Sequence, residues 1–174
     1  MYQGRTLNII SDLALFRRGL AAIITLFAAV GAPSRATPAE FPPQVWVTPG
    51  IYSWHFNRSK NLRDDNPGLG AEVALTEDHI VMAGVYTNSV RATTHYAAYE
   101  WRPLHWQPAD LKVGAGILIG AFDGYGYKDG AWFVAPLPVL SIEGRYLGVN
   151  LGVIPTIKNR LDGAFAIQVK VRVW

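Results

Sequence analysis

The chain has no cysteine among its 174 residues, so neither a disulfide framework nor a thiolate metal site is available to it. It has four histidines, scattered, and no clustered carboxylates, which argues against a metal centre. Helical periodicity is scarce, and beyond an early apolar run at 19–31 no segment approaches the length of a membrane helix. The formal net charge of +3 includes arginines close to the amino terminus, so a nucleic-acid partner has little support. No cofactor is expected.

The early run is itself informative. Arg17 and Arg18 precede it, and small residues follow at Ala32, Ser34, Ala36 and Ala39. A basic region, an apolar region and a small-residue cleavage site make a secretory signal, so residues 1–39 are read as a signal peptide and 40–174 as the exported domain. Cleavage after Ala32, Ala36 or Ala39 fits the pattern, with Pro33 disfavouring the first.

Half of all residues are hydrophobic and 12% are aromatic, and most of them fall into eight alternating stretches. These lie at about 45–56, 68–76, 79–87, 92–106, 111–122, 131–141, 146–154 and 163–174. The last is the fullest: Phe165, Ile167, Val169, Val171 and Val173 share one parity, and Gln168, Lys170 and Arg172 share the other. That period of two belongs to a strand. Eight strands of roughly 9 to 12 residues match a small outer-membrane barrel. The connections alternate between tight (77–78, 107–110, 143–144) and longer, charged ones (57–67, 88–91, 124–130, 156–162). Short turns at the periplasmic end and long loops outside are the habit of such barrels.

Parity separates two faces along the strands. Leu69, Ala71, Val73 and Leu75 oppose Gly68, Gly70, Glu72 and Ala74; Val113, Ala115, Ile117 and Ile119 oppose Gly114, Gly116, Leu118 and Gly120. A soluble barrel would turn the glycine-rich face to water, giving a surface poor in lysine and glutamate. A membrane barrel turns the aliphatic face to lipid and encloses Glu72, Glu100, Arg102, Lys170 and Arg172, which then neutralise one another. The expectation is an all-β, eight-stranded antiparallel outer-membrane β-barrel, monomeric, in a bacterial outer membrane. Trp174 shares parity with Arg172 and not with the lipid face, which breaks the pattern at the last residue.

Luminal glycines, among them Gly84, Gly114 and Gly116, have two readings. They leave a slot for an extended acyl chain, or they relieve crowding in a narrow, strongly curved barrel. At the outer rim His55 has inward parity beside the long loop 57–67, and Asn88 and Ser89 end the third stretch at the same rim. An imidazole near a hydroxyl is the minimum for a general base or an activated nucleophile; the alternative is a rim histidine bonded to a loop carbonyl. Arg58, Lys60, Arg63 and Arg91 offer charge-assisted contacts to phosphates, or form a solvated loop face.

Three tracts carry a resemblance to a known family: Tyr52-Ser53-Trp54-His55-Phe56, Ala135-Pro136-Leu137-Pro138-Val139-Leu140 and Val153-Ile154-Pro155. Over about 45–174 the chain resembles the outer-membrane lipid A palmitoyltransferases, the PagP family. The resemblance implies an eight-stranded barrel with an interior hydrocarbon ruler that moves palmitate from a phospholipid donor to a lipid A (lipopolysaccharide) acceptor. It implies catalysis by a rim histidine with an Asp-Ser pair, falling here on His55 and Ser89, with Asn88 at the Asp position. It also implies that Pro136, Pro138 and Pro155, which cannot donate to a ladder, leave lateral openings for acyl chains. The ruler's floor, glycine in palmitate-selective members, falls on Ala97 or Ala98, and parity makes Ala98 the luminal one. An added methyl there predicts a chain shorter than palmitate.

The chain departs from the family at Asn88, in the short loop after Ser89 and in having almost no room for an amino-terminal amphipathic helix. The functional expectation is an acyltransferase with His55 as base, Ser89 orienting, attacking or stabilising the oxyanion, and Asn88 positioning one of these. The alternative is a non-catalytic lipid-binding or structural barrel. Asn88→Asp separates them, since only a degenerate enzyme would gain activity.

Overall fold

The structure, a computed structural model, describes residues 41–125, 129–158 and 161–174; the expected signal segment lies outside the described residues. Eight antiparallel strands close into one barrel in sequence order, β1 against β8 completing it. They are β1 (Gln44–His55), β2 (Asp65–Ala74), β3 (His79–Thr87), β4 (Thr93–Trp106), β5 (Lys112–Phe122), β6 (Phe133–Glu143), β7 (Leu147–Ile154) and β8 (Ala164–Arg172). Closure leaves no strand with a whole side unpaired, which is how an all-β chain of this kind limits edge-to-edge association. The tight connections all fall at one end of the barrel and the longer ones at the other. Both Gln44 and Arg172 lie at the tight-turn end.

The alternation in sequence becomes an inside and an outside. Leu69, Val81, Val85, Ile117, Ile119, Val169 and Val171 are exposed, while Glu72, Glu100, Arg102, Asn150 and Lys170 are buried. The apolar exterior is bracketed by exposed aromatics. Tyr52, Trp54, Trp132 and Phe165 stand at the long-loop end, and Trp101, Tyr146 and Trp174 at the tight-turn end. Exposed apolar surface of this kind marks a face that meets another protein or a lipid phase.

Trp174 breaks parity for a local reason. The amides of both Val173 and Trp174 donate to the Val45 carbonyl, at 2.9 and 3.3 Å, while Val45 N donates to Trp174 O at 3.0 Å. Two successive amides on one carbonyl mark a bulge, and a bulge resets which side the next residue faces. Trp174 accordingly ends up 80% exposed.

The tight-turn half of the interior is a polar plug. Lys170 pairs with Glu72 and, at 2.8 Å, with Glu143, whose carboxylate also takes Arg102 at 2.9 Å. Asn150 donates to Glu72 at 2.8 Å, and Ser141 lies 2.7 Å from the Asn150 carbonyl oxygen. Trp46, fully buried, lies against the Lys170 ammonium at 4.9 Å. Glu143 is the member that sequence missed: it reads as part of a turn, although it shares parity with Ser141. Above the plug, Met82, Tyr86, Tyr96, Leu118 and Val139 form an apolar core with Ala98, Phe122 and Leu137 against it.

At Gly84, Gly114 and Gly116 the crowding reading holds, whereas Gly152, beside the β6–β7 seam, has ordinary room, with Ala166 Cβ 3.7 Å from where a Cβ would stand. A Cβ at Gly84 would meet the Leu69 carbonyl at 2.6 Å and the Tyr96 ring at 2.8 Å. At Gly114 it would strike the Arg102 side chain, and at Gly116 the backbone of Trp101 and Arg102. Gly84 and Gly114 seat luminal side chains, and Gly116 lets β4 approach β5 at the bulge between Trp101 and Leu104. None of the three lines an open slot.

Two seams in the wall are incomplete. The β5–β6 ladder is continuous from Lys112↔Glu143 to Phe122↔Phe133. The β6–β7 ladder stops at Val139↔Gly152, immediately below Pro138. Pro136 and Pro138 share parity and withdraw their donors from the same side, so β7 loses its partner there. The second break lies in β1–β8, between Val47↔Val171 and Tyr52↔Ile167, and contains Pro49 and Gly50. Gly50 has φ +136°, and a Cβ there would overlap the Asn66 carbonyl, so only glycine fits.

Candidate functional site

His55 ends β1 at the long-loop rim, and its inward parity makes it 5% exposed. The chain then makes a 3₁₀ turn, Arg58–Lys60, capped by Asn57. It returns as β2, so that 64 and its neighbours come back beside the end of β1. Asp64 is thereby placed against the imidazole: His55 Nδ1 lies 3.0 Å from Asp64 Oδ1. The other carboxylate oxygen takes Arg58 Nη1 at 2.7 Å.

The electrostatics of this trio fix its proton positions. Asp64 titrates below the usual carboxylate range, chiefly through its hydrogen bond to His55; burial opposes this, and the hydrogen bond and charge of Arg58 add to the lowering. An ionised carboxylate only accepts, so Nδ1 carries the proton and donates it, leaving Nε2 with the basic lone pair when the ring is neutral. That is the arrangement a general base needs, with the carboxylate fixing the tautomer and the ring plane.

A buried polar pair adjoins it. Ser53, two residues before His55 on the same face of β1, is 6% exposed, and Asn66 at the start of β2 is 2% exposed. Asn66 Nδ2 donates to Ser53 Oγ at 2.9 Å and to the Asp64 carbonyl at 3.0 Å. Ser53 N donates to the same carbonyl at 2.7 Å. Sequence reasoning missed Asp64, Asn66 and Ser53. Asp64 and Asn66 read as part of a long loop, and the signal that could have found them is strand pairing carried up to Tyr52↔Asp65.

The sequence-predicted residues are partly brought together. Ser89 lies at the same rim, and its carbonyl accepts from Arg63 N at 3.0 Å, tying the two loops. Among the described residues no hydrogen bond joins His55 to Asn88 or Ser89. Asn88 is turned into its own loop instead. Its Oδ1 accepts from Val90 N and Ala92 N, each at 3.0 Å, and its Nδ2 donates to Thr94 Oγ1 at 3.0 Å and Gly124 O at 3.1 Å. All four capacities of a fully buried amide are used, so the expectation that Asn88 positions His55 or Ser89 gives way to a loop clamp. Asn88→Asp would set a carboxylate against the Gly124 carbonyl. It is expected to cost about 1–3 kcal/mol, read from urea unfolding in detergent, and to raise no activity.

The rim cations are also engaged. Arg58 holds Asp64, Arg63 lies 3.1 Å from Asp65, and Lys60 reaches Asp162 at 2.8 Å across to the β7–β8 loop. Arg91 makes no ion pair among the described residues. Pro136 is exposed, Pro138 and Pro155 are half-buried, and Ala98 packs among the luminal apolar side chains. The other histidines each have a partner outside this cluster: His79 with Tyr99 at 2.6 Å, His95 with Asp123 at 2.9 Å and His105 with Asp78 at 2.7 Å. His55 alone of the four is buried. No protein-family model matches the chain and no curated protein matches it, so its chemistry is argued from these residues and their geometry.

Proposed function

We propose that this barrel is an outer-membrane acyltransferase that moves an acyl chain from a phospholipid to a hydroxyl of lipid A or a related acceptor. The observation that carries the reading is a buried histidine, held by a carboxylate that an arginine holds in turn, at the rim of a barrel whose outer wall is apolar. The exposed aliphatic band and its flanking aromatics suit a lipid bilayer. The side of β6 that lacks a β7 partner beside Pro136 and Pro138 suits a lateral path between lipid and lumen. In this reading His55 Nε2 takes the proton of the acceptor hydroxyl as its oxygen attacks the ester carbonyl.

The luminal side chains bear on chain length. Tyr96 stacks on Phe122 with ring centroids 6.3 Å apart, and Met82, Leu118 and Ala98 lie beneath the rim and above the plug. So filled an interior favours an acyl group shorter than palmitate, and transfer from a phospholipid of mixed chain composition is expected to enrich the shorter chains in the product. Exclusive palmitate transfer would contradict it.

A second reading, a non-catalytic lipid-binding barrel, draws on that same packed lumen. Incubating the detergent-folded protein with labelled phospholipid and lipid A separates the two. Labelled lipid A that grows with time and lysophospholipid supports the enzyme; folded protein that retains lipid but transfers none supports the binding barrel.

Asp64→Asn gives a further test, because it keeps the shape and removes the charge. Transfer is expected to fall by about 10²-fold. The stability effect has a defined sign. A carboxylate held below its ordinary value stabilises the fold above the ordinary range and loses that contribution as pH falls through the folded-state value. Wild type is therefore expected to exceed Asp64→Asn in unfolding midpoint near neutrality, and the two should converge only as pH falls below the ordinary carboxylate range.

A further inference from the structure

The Ser53–Asn66 pair has an orientation that the surrounding backbone dictates. The Asp64 carbonyl can only accept, so the Asn66 atom 3.0 Å from it is the amide nitrogen. The same nitrogen donates to Ser53 Oγ, which makes Ser53 an acceptor in that bond and leaves its own proton without a partner among the described residues. Asn66 Oδ1, on the far side of the amide, is buried and likewise unpartnered. A buried hydroxyl whose oxygen is pinned and whose proton is uncommitted is a fixed donor waiting for an acceptor.

Ser53 and His55 pair regularly with β8, at Ser53↔Ala166 and His55↔Ala164, so both side chains project from one face of β1 with Cβ atoms about 7 Å apart. They make no hydrogen bond to each other. That spacing suits two groups that flank one reacting carbonyl, a base on the attacking side and a donor on the oxygen side.

We propose that Ser53 is the oxyanion donor of the transfer reaction, held for that role by Asn66; the inference rests on the acyltransferase reading above. The acceptor alcohol gives its proton to His55 Nε2 as its oxygen bonds to the ester carbonyl carbon. The carbonyl π pair moves onto oxygen, and that oxygen accepts the Ser53 hydroxyl. Collapse breaks the bond to the glycerol oxygen, which recovers the proton from His55 and leaves as lysophospholipid. Atoms and charge balance without a co-reactant. Ser89 is not needed for this step.

The test compares wild type, Ser53→Ala and Ser53→Thr, folded in detergent, in transfer kinetics and in binding of a long-chain alkyl phosphonate monoester. The phosphonate carries the negative oxygen of the tetrahedral intermediate. Ser53→Ala is expected to lower kcat by about 10²–10³ with KM little changed, and to weaken phosphonate binding in parallel. Ser53→Thr retains the hydroxyl and should recover much of both. Asn66 still has the Asp64 carbonyl as partner in Ser53→Ala, so the fold should persist, and the unfolding midpoint checks it. A Ser53→Ala enzyme with wild-type kcat, where His55→Ala is dead, overturns the role of Ser53 and leaves the acyltransferase standing. An acyl chain recovered covalently on Ser53 by intact-protein mass spectrometry also overturns it, since a nucleophile is not an oxyanion donor. Ser53-dependent phosphonate binding without transfer supports the site and overturns the acceptor assignment. Neither binding nor transfer overturns both.

Discussion

Lys170→Met is expected to destabilise the barrel by about 3–5 kcal/mol, the largest single effect on folding in this chain. The ammonium is fully buried and sits between Glu72 and Glu143 and against the Trp46 ring. Removing it leaves Glu72 with only the Asn150 amide, and Glu143 with Arg102 and Ser141. Three carboxylates, Glu72, Glu100 and Glu143, then share a buried interior with Arg102 as the remaining cation, and the cost is that of an uncompensated buried charge, not of one lost contact. Adding Glu72→Gln should recover part of the loss, because it removes the orphaned charge while keeping an acceptor for Asn150. The measurement is the urea midpoint of the detergent-folded protein. A Lys170→Met barrel within about 1 kcal/mol of wild type would mean that the plug is solvated and contributes little.

The second large effect is on activity. His55→Ala is expected to abolish detectable transfer, a loss of about 10²–10⁴ if the histidine is the general base. Stability should fall only modestly, since Asp64 loses its bond to His55 but keeps Arg58 at 2.7 Å and is not left alone. That contrast separates a catalytic group from a structural one. A His55→Ala protein that unfolds readily would point to a rim histidine that merely anchors its loop, whereas a stable, inactive protein points to chemistry at Nε2.

The wall of the barrel was legible in the sequence because lipid-like and luminal environments differ at every residue. Phe165 to Val173 shows the alternation bare, and the expected boundaries fall within a few residues of the strands. The alternation failed where backbone geometry intervened. Trp174 follows a bulge on the Val45 carbonyl, and no composition rule announces a bulge. The break in the β1–β8 pairing at Pro49 and Gly50 had a visible signal, the Pro-Gly pair, but it lay inside a run that otherwise reads as continuous strand.

The site was legible only in its centre. His55 stood out because inward parity and rim position coincided. Its partner did not, because Asp64 reaches it through hairpin pairing across nine residues, and a loop's return path is not written in periodicity. Asn88 drew attention as a missing carboxylate, whereas its side chain is occupied by Val90, Ala92, Thr94 and Gly124. The luminal glycines left two readings open for a related reason. A glycine marks close approach, but only the partner tells whether that is a ligand or, as for Gly84 and Gly114, the Tyr96 ring and the Arg102 side chain.

The most direct measurement is mass spectrometry of lipid A from cells that express wild type or His55→Ala at equal levels of folded outer-membrane protein. The account predicts a new species in the wild-type sample, heavier by one acyl chain shorter than palmitate, and its absence with His55→Ala. Identical spectra from the two strains would contradict it.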